Sequence, residues 1–142
     1  MSRLRVLVVD DEVPNLLTFQ RVYRKHYDIE LASTGAAGLQ LLAEHEFDVV
    51  MVDYAMPLMT GAEFVDSAQR VQRVSIVMVT GYTTHPDVLR LEASGEIFAL
   101  VGKPWDRHVL MDMIARASAH TGSLRNLPES LSGRPAYGAT SR

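Results

Sequence analysis

The chain has 142 residues, 47% of them hydrophobic, which is enough for one domain with a core of its own. The net charge of -3 and the lack of a basic stripe argue against a nucleic-acid binder, and the absence of cysteine excludes disulfides and thiolate metal sites. No apolar run approaches the roughly 18 residues of a membrane span, and acids interrupt the N-terminal run before a signal-peptide core is complete. We therefore expect a cytoplasmic protein without a membrane segment.

Five short apolar runs have the length of β-strands and alternate with segments of helical spacing. The runs are Leu4 to Val9, Ile29 to Ala32, Val49 to Val52, Ser75 to Val79 and Ile97 to Val101. The helical sets are Leu16, Phe19, Val22 and Tyr23; Ala36, Leu39, Leu42 and Ala43; Phe64, Val65, Ala68 and Val71; Val88, Leu89 and Leu91; and Val109, Leu110, Met113, Ile114 and Ala117, with Asp106 as the N-cap of the last. Strands that alternate with single helices predict a parallel sheet with helices on both faces.

The alternating pattern stops at Thr121. Residues 121–142 contain three glycines, two prolines and four serines, and no periodic set of apolar residues. We therefore expect residues 1–120 to form one domain, and residues 121–142 to be a flexible tail or a truncated linker without an output domain.

Acids stand where the first and third runs stop: Asp10 and Asp11 after the first, Asp53 after the third. The two strands are neighbours in a doubly wound sheet, so three carboxylates converge at the edge where such sheets bind ligands. At about 4 Å and an effective dielectric near 20, each like-charge pair costs about 4 kcal/mol. The cluster therefore needs a cation or raised pKa values, and oxygen ligands suit Mg²⁺. The alternative is that Asp10 and Asp11 only cap the first helix.

Two more polar side chains belong to the same edge: Thr80 follows the fourth run and Lys103 the fifth. Taken alone, the first would be read as a turn residue and the second as a solvated charge. As a set, the motifs VVDDE, DYAMPLMTG, VTGY and KPW closely resemble the response-regulator receiver domain of bacterial two-component signalling, over roughly Leu4 to Ala119. The resemblance implies a flavodoxin-like, doubly wound sheet of five parallel strands in the order 2-1-3-4-5, with five helices.

The resemblance also implies a role for each site residue. Asp53 is expected to accept the phosphoryl group, with Asp11, Asp53 and the backbone carbonyl of Ala55 as direct ligands of Mg²⁺ and Asp10 as a ligand through water. Thr80 would hydrogen-bond the phosphoryl group and Lys103 would pair with it, before a cis peptide bond to the following proline. The phosphoryl donor would be a sensor histidine kinase or a histidine phosphotransfer protein. The chain would then be a phosphorylated switch with slow autodephosphorylation, not an enzyme that turns over an external substrate.

The usual aromatic switch residue, three positions before the lysine, is Leu100 here. Phe98 lies two residues earlier and, by strand alternation, is expected on the same face, most simply as core. Tyr82 could instead report on the site, or shield it. Trp105 is expected to pack over the start of the last helix. The output would be a separate protein or a second copy of the chain, bound at the face formed by helix 4, strand 5 and helix 5, near Arg90, Glu96 and Arg107.

Three other functions remain as alternatives. A Mg²⁺-dependent phosphatase of the haloacid-dehalogenase type wants a second acid two residues after its nucleophile, where this chain has Ala55. A flavodoxin-like cofactor carrier needs hydroxyl and backbone donors for the flavin phosphate, which the acids after the first strand would repel. A degenerate receiver that takes no phosphate conflicts with the complete set of three acids, threonine and lysine.

Overall fold

The computed structural model describes residues 3–81 and 84–128. Five parallel strands form one sheet in the order β2-β1-β3-β4-β5, as predicted. The strands are β1 (Leu4–Val9), β2 (Tyr27–Ala32), β3 (Val49–Asp53), β4 (Ser75–Thr80) and β5 (Ala99–Gly102). The helices are α1 (Val13–Tyr23), α2 (Gly35–Glu44), α3 (Gly61–Val71), α4 (Pro86–Ser94) and α5 (Arg107–Arg125). The doubly wound, flavodoxin-like fold expected from the sequence is therefore confirmed.

The strand at the centre of the sheet is β3, whose five residues are all buried. Its register with β1 pairs Val9 with Val52, and its register with β4 pairs Asp53 with Val79. Because the strands are parallel, the residues that follow β1, β3, β4 and β5 all meet at one edge of the sheet. This edge carries the residues singled out in the sequence.

The core consists of two apolar layers, one on each face of the sheet. Helices α2, α3 and α4 contribute Leu42, Phe64 and Leu91 to one layer, and α1 and α5 contribute Phe19 and Ile114 to the other. The exposed side chains among the predicted helical sets are Ala36, Ala43, Val22, Val71, Leu89 and Val109. Helical spacing therefore identified the helices correctly but made their buried stripes too wide.

The last helix is longer than predicted. It begins after Asp106, whose side chain accepts hydrogen bonds from the backbone N–H groups of His108 and Val109, and it ends at Arg125, five residues beyond the expected boundary at residue 120. Thr121 is 1% exposed, so the helix still packs against the sheet where the sequence indicated a tail. The rest of the predicted tail, from residue 129, lies outside the described residues.

The prediction that Phe98 shares a face with Leu100 is wrong. Phe98 precedes β5 and packs with the α1 and α5 layer, where its ring lies 5.1 Å from that of His120. Leu100 packs with the opposite layer, beside α3 and α4. Strand alternation does not extend to a residue outside the strand. Among the residues that the structure describes, no helix is long and apolar enough to cross a membrane.

Candidate functional site

Three acids converge at the C-terminal edge of the sheet. Asp10 and Asp11 follow β1, Asp53 ends β3, and one carboxylate oxygen from each lies within 4.8 Å of the others. Helix α1 has Glu12 at its N-cap position, so the alternative that Asp10 or Asp11 is the cap of this helix fails. The acids therefore form a cluster whose mutual repulsion calls for a positive charge.

Among the residues that the structure describes, Lys103 brings a positive charge to this cluster. Its Nζ lies 3.5 Å from Oδ2 of Asp53 and 3.7 Å from Oδ2 of Asp10. The lysine is held there by the sheet, because its backbone N–H donates to the carbonyl of Thr80 at 3.0 Å and it follows the last strand directly. One lysine against three carboxylates leaves the site with an excess of negative charge.

Burial makes the negative charge of Asp53 costly. Only 9% of the residue is exposed, and burial raises the pKa of its carboxyl above the ordinary value. Lys103 opposes this change in pKa, Asp10 adds to it, and a hydrogen bond from the backbone N–H of Ala55 again lowers the pKa. The net increase shows that the lysine does not fully compensate the buried charge.

Asp10 is fixed by partners that the sequence did not reveal. Its Oδ1 accepts the backbone N–H of Glu12 at 2.9 Å, and its Oδ2 accepts Nδ2 of Asn15 at 3.3 Å. The same Asn15 amide contacts Oε1 of Glu12 at 3.1 Å. Asn15 lies in the first turn of α1 and belongs to no motif. Only its place near the start of the helix that follows the acids could have indicated its role. Asp10 is thereby oriented before any ligand arrives.

The loop after Asp53 turns tightly against the sheet. The backbone N–H of Gly61 donates to the carbonyl of Tyr54 at 2.8 Å, and a Cβ on Gly61 would lie 2.7 Å from Cα of Tyr54. That approach excludes any larger residue without a backbone shift. Thr60 closes the loop with a capping box to Glu63, which starts α3. The loop that follows Asp53 is therefore fixed at Tyr54, by Gly61, and at its end, by the capping box.

A model of the family described as the response regulator receiver domain matches residues 6–115. The chain belongs to this family. Receiver domains are phosphorylation-controlled signalling switches of two-component systems, and they interact with a histidine kinase or a phosphotransfer partner. The interpretation of the sequence as a receiver is therefore confirmed.

Relatives show the same domain in several settings. The transcriptional regulatory protein GlrR of Escherichia coli (strain K12) is 30% identical over 112 residues, which cover 77% of this chain and 25% of GlrR. A probable cyclic di-GMP phosphodiesterase of Vibrio cholerae serotype O1 is 27% identical over 90 residues, which cover 61% of this chain and 20% of that protein. The signal receiver domain of an HD domain-containing protein from Pseudomonas fluorescens Pf-5 has a TM-score of 0.77 at 27% identity, covering 85% of this chain and 98% of that one.

The chain spans 20% to 27% of the length of the curated relatives it matches. Some of these relatives are enzymes, such as a protein-glutamate methylesterase of Enterobacter cloacae. The matched part of this chain corresponds to their receiver and not to the rest of their length.

The donor set of this receiver fits a hard divalent cation. Asp10, Asp11 and Asp53 offer oxygen atoms only, and their three negative charges exceed the single charge of Lys103. Carboxylate oxygens with room for water are the ligands that Mg²⁺ prefers, whereas zinc favours nitrogen and sulfur. The residues present therefore fit the metal that the family typically binds.

A cleft of about 490 Å³ extends from the acids of the receiver toward α1 and the loop after β5. Its wall includes Trp105, whose indole N–H donates to the hydroxyl of Tyr23 at 3.1 Å. The tryptophan thus contacts α1 and lines the same cleft as Asp53. Its expected packing over the start of the last helix stays a prediction. Its indole is a natural optical reporter of the site. Tyr82, the proposed shield or reporter, lies outside the described residues.

Proposed function

We propose that Asp53 is the residue of this receiver that accepts a phosphoryl group. The observation that supports this most strongly is the convergence of Asp53, Lys103, Asp10 and Asp11 at one sheet edge. A nucleophilic carboxylate beside a fixed cation is what phosphoryl transfer needs, because positioning and charge neutralisation supply most of its catalysis.

In the proposed reaction, an oxygen of the Asp53 carboxylate forms a bond to phosphorus. The bond between phosphorus and the imidazole nitrogen of a phosphohistidine breaks, and the released imidazole takes up a proton from water. Lys103 lies near enough to Asp53 to neutralise charge on the arriving phosphoryl oxygens, and the hydroxyl of Thr80, at the end of β4, is proposed to hydrogen-bond the product.

Asp11, Asp53 and the backbone carbonyl of Ala55 are proposed to hold Mg²⁺ directly, and Asp10 through water. When bound, Mg²⁺ supplies positive charge to the phosphoryl oxygens. The buried position of Asp10, together with its hydrogen bonds from Glu12 and Asn15, favours a carboxylate that keeps its orientation. The raised pKa of the Asp53 carboxyl, caused first by burial, supports a site that a cation completes.

The proposal includes a route to the output. The face formed by α4, β5 and α5 presents the exposed side chains of Leu89 and Val109, and Arg90 of α4 pairs with Glu96 at 3.3 Å. Arg107 lies at the start of α5, where its guanidinium is 3.1 Å from Nε2 of His26. We propose that phosphorylation changes this face in the cytoplasm so that it binds a separate output protein or a second copy of the chain. No external substrate is turned over.

The test is the intact mass of the protein after incubation with Mg²⁺ and a small acyl-phosphate donor. The expected result is one phosphoryl adduct on the wild type and none on Asp53→Asn or in EDTA. Asp112→Asn is the matched control, because Asp112 is an exposed acid paired with Arg116 far from the site, and it should be phosphorylated like the wild type. An adduct on Asp53→Asn, or none on the wild type, would refute the proposal.

A further inference from the structure

Tyr54, the residue after Asp53, contacts the first turn of α4. Its hydroxyl donates to Oδ2 of Asp87 at 3.0 Å, and its ring lies 5.1 Å from the ring of His85. His85 is the N-cap of α4, and its Nδ1 accepts the backbone N–H of Asp87 at 3.1 Å. One side chain therefore touches both residues that fix the start of this helix. We call the hydrogen bond the Tyr54–Asp87 link.

At its other end, Tyr54 is fixed to the sheet. Its backbone N–H donates to the carbonyl of Val79 at 3.3 Å, and its own carbonyl accepts the N–H groups of Met56 at 3.2 Å and Gly61 at 2.8 Å. Gly61 lies so close to Tyr54 that an added Cβ would be 2.7 Å from Cα of Tyr54, so the two backbones are tightly packed. Tyr54 therefore connects the end of β3 directly to the start of α4, so a shift of Asp53 has a short route to this helix.

Helix α4 depends on few other contacts. Of its nine residues, Val88 and Leu91 are the buried ones. Helices with little buried apolar surface open at low free-energy cost, so a hydrogen bond to their first turn changes their stability measurably. The Tyr54–Asp87 link is such a bond, and it involves a charged acceptor, which makes it stronger than a neutral one.

We propose that Tyr54 is a positioning residue that couples the phosphorylation state of Asp53 to α4. The Tyr54–Asp87 link holds the first turn of α4 in place while Asp53 is an unmodified carboxylate paired with Lys103. The acyl phosphate carries about -1.5 to -2 units of charge where the carboxylate carried one, and the resulting shift beside the Tyr54 backbone breaks the link and frees the helix. Leu100 occupies the position of the usual aromatic switch residue in this chain, and the Tyr54–Asp87 link provides the coupling instead. The inference rests on the proposed role of Asp53.

The test is amide hydrogen exchange over α4, with and without beryllofluoride and Mg²⁺ as the mimic of phosphorylation. Tyr54→Phe removes the hydroxyl and keeps the ring, so the fold is retained. Without the mimic, residues 86–94 of this variant should exchange about 3- to 10-fold faster than in the wild type, which corresponds to the loss of one hydrogen bond to a partly exposed charge. With the mimic, exchange in the wild type should rise to the level of the variant.

Tyr23→Phe is the matched control, because it also removes one tyrosine hydroxyl that has a hydrogen-bond partner, Trp105, but on the α1 side of the molecule. It should leave exchange over α4 unchanged. Asp87→Ala should match Tyr54→Phe, and the double variant should exchange no faster than either.

Two results would overturn the inference: unchanged exchange over α4 in Tyr54→Phe, or a response to the mimic as large in Tyr54→Phe as in the wild type. The intact-mass assay separates this from a failure of the proposed function. If the wild type forms the adduct and α4 does not respond to Tyr54→Phe, only the coupling is wrong. If the wild type forms no adduct, the role of Asp53 is wrong, whatever α4 does.

Discussion

Replacing Thr121 with valine should weaken the attachment of α5 to the sheet and lower the stability of the domain. The buried Thr121 Oγ1 accepts the backbone N–H of Ser75 at 2.9 Å and donates to the carbonyl of Asp48 at 2.6 Å. Valine has the same shape but leaves both backbone groups without a partner, and each such loss costs about 1–3 kcal/mol. We expect Thr121→Val to lower the free energy of unfolding by about 2–6 kcal/mol in total.

Chemical denaturation followed by circular dichroism measures this change directly. At about 3–4 °C per kcal/mol for a domain of this size, the melting temperature should fall by roughly 6–24 °C. Thr121→Ser keeps the hydroxyl and should cost only about 1 kcal/mol for the lost methyl group. Ser123 is an exposed residue two positions further along α5, and Ser123→Ala should change stability by no more than about 0.5 kcal/mol. Equal stability of Thr121→Val and the wild type would show that residues after 120 are not part of the domain.

Gly61→Ala should destabilise the fold by about 1–3 kcal/mol, because its Cβ would meet the Tyr54 backbone. Gly122→Ala has open space around the new Cβ and should raise the free energy of unfolding by up to about 1 kcal/mol. Thermal melts of the two variants test both predictions. Since the pKa of Asp53 is raised in the folded state, wild-type stability in EDTA should fall as pH rises past the ordinary carboxyl range. Asp53→Asn should therefore be more stable than the wild type at neutral pH, with the gain vanishing in acid, and a gain that persists below the ordinary carboxyl pKa would contradict this. Lys103→Gln should slow phosphorylation by an acyl-phosphate donor about 10- to 100-fold, measured by the rate of adduct formation; an unchanged rate would remove the lysine from the mechanism.

Most of the fold follows from the sequence because strand and helix periods differ so clearly. The run Leu4 to Val9 is a strand over the predicted bounds, and Asp53 ends its strand as expected. Parallel strands then bring the residues after β1, β3, β4 and β5 to one edge without any further information. The four site residues Asp10, Asp53, Thr80 and Lys103 could therefore be placed together from the sequence alone.

Where prediction failed, the cause was a contact between residues distant in the chain. The end of α5 depends on Thr121 meeting Ser75 and Asp48, and on Arg125 donating to the carbonyl of Phe47 at 2.7 Å. Neither partner is visible in the local composition, which is rich in glycine and serine and resembles a tail. Tertiary contacts, and not the local composition, therefore determine where α5 ends.

The position of Phe98 shows a second limit. Alternation along a strand assigns faces only while the backbone is extended, and β5 begins after this residue. The contacts of Asn15 with Asp10, and of Tyr54 with Asp87, likewise depend on where one loop meets the next helix. Such contacts follow no spacing rule, so the sequence predicted the cluster of acids but not the residues that orient it.

The most direct test of the central claim is to locate the phosphoryl group itself. Protein phosphorylated with an acyl-phosphate donor and Mg²⁺ would be reduced with borohydride, which converts an aspartyl phosphate to homoserine, and then mapped by peptide mass spectrometry. Our account predicts homoserine at position 53 in the wild type and at no position in EDTA or in Asp53→Asn. Homoserine at Asp10 or Asp11, or at no residue of a protein that still binds Mg²⁺, would contradict it.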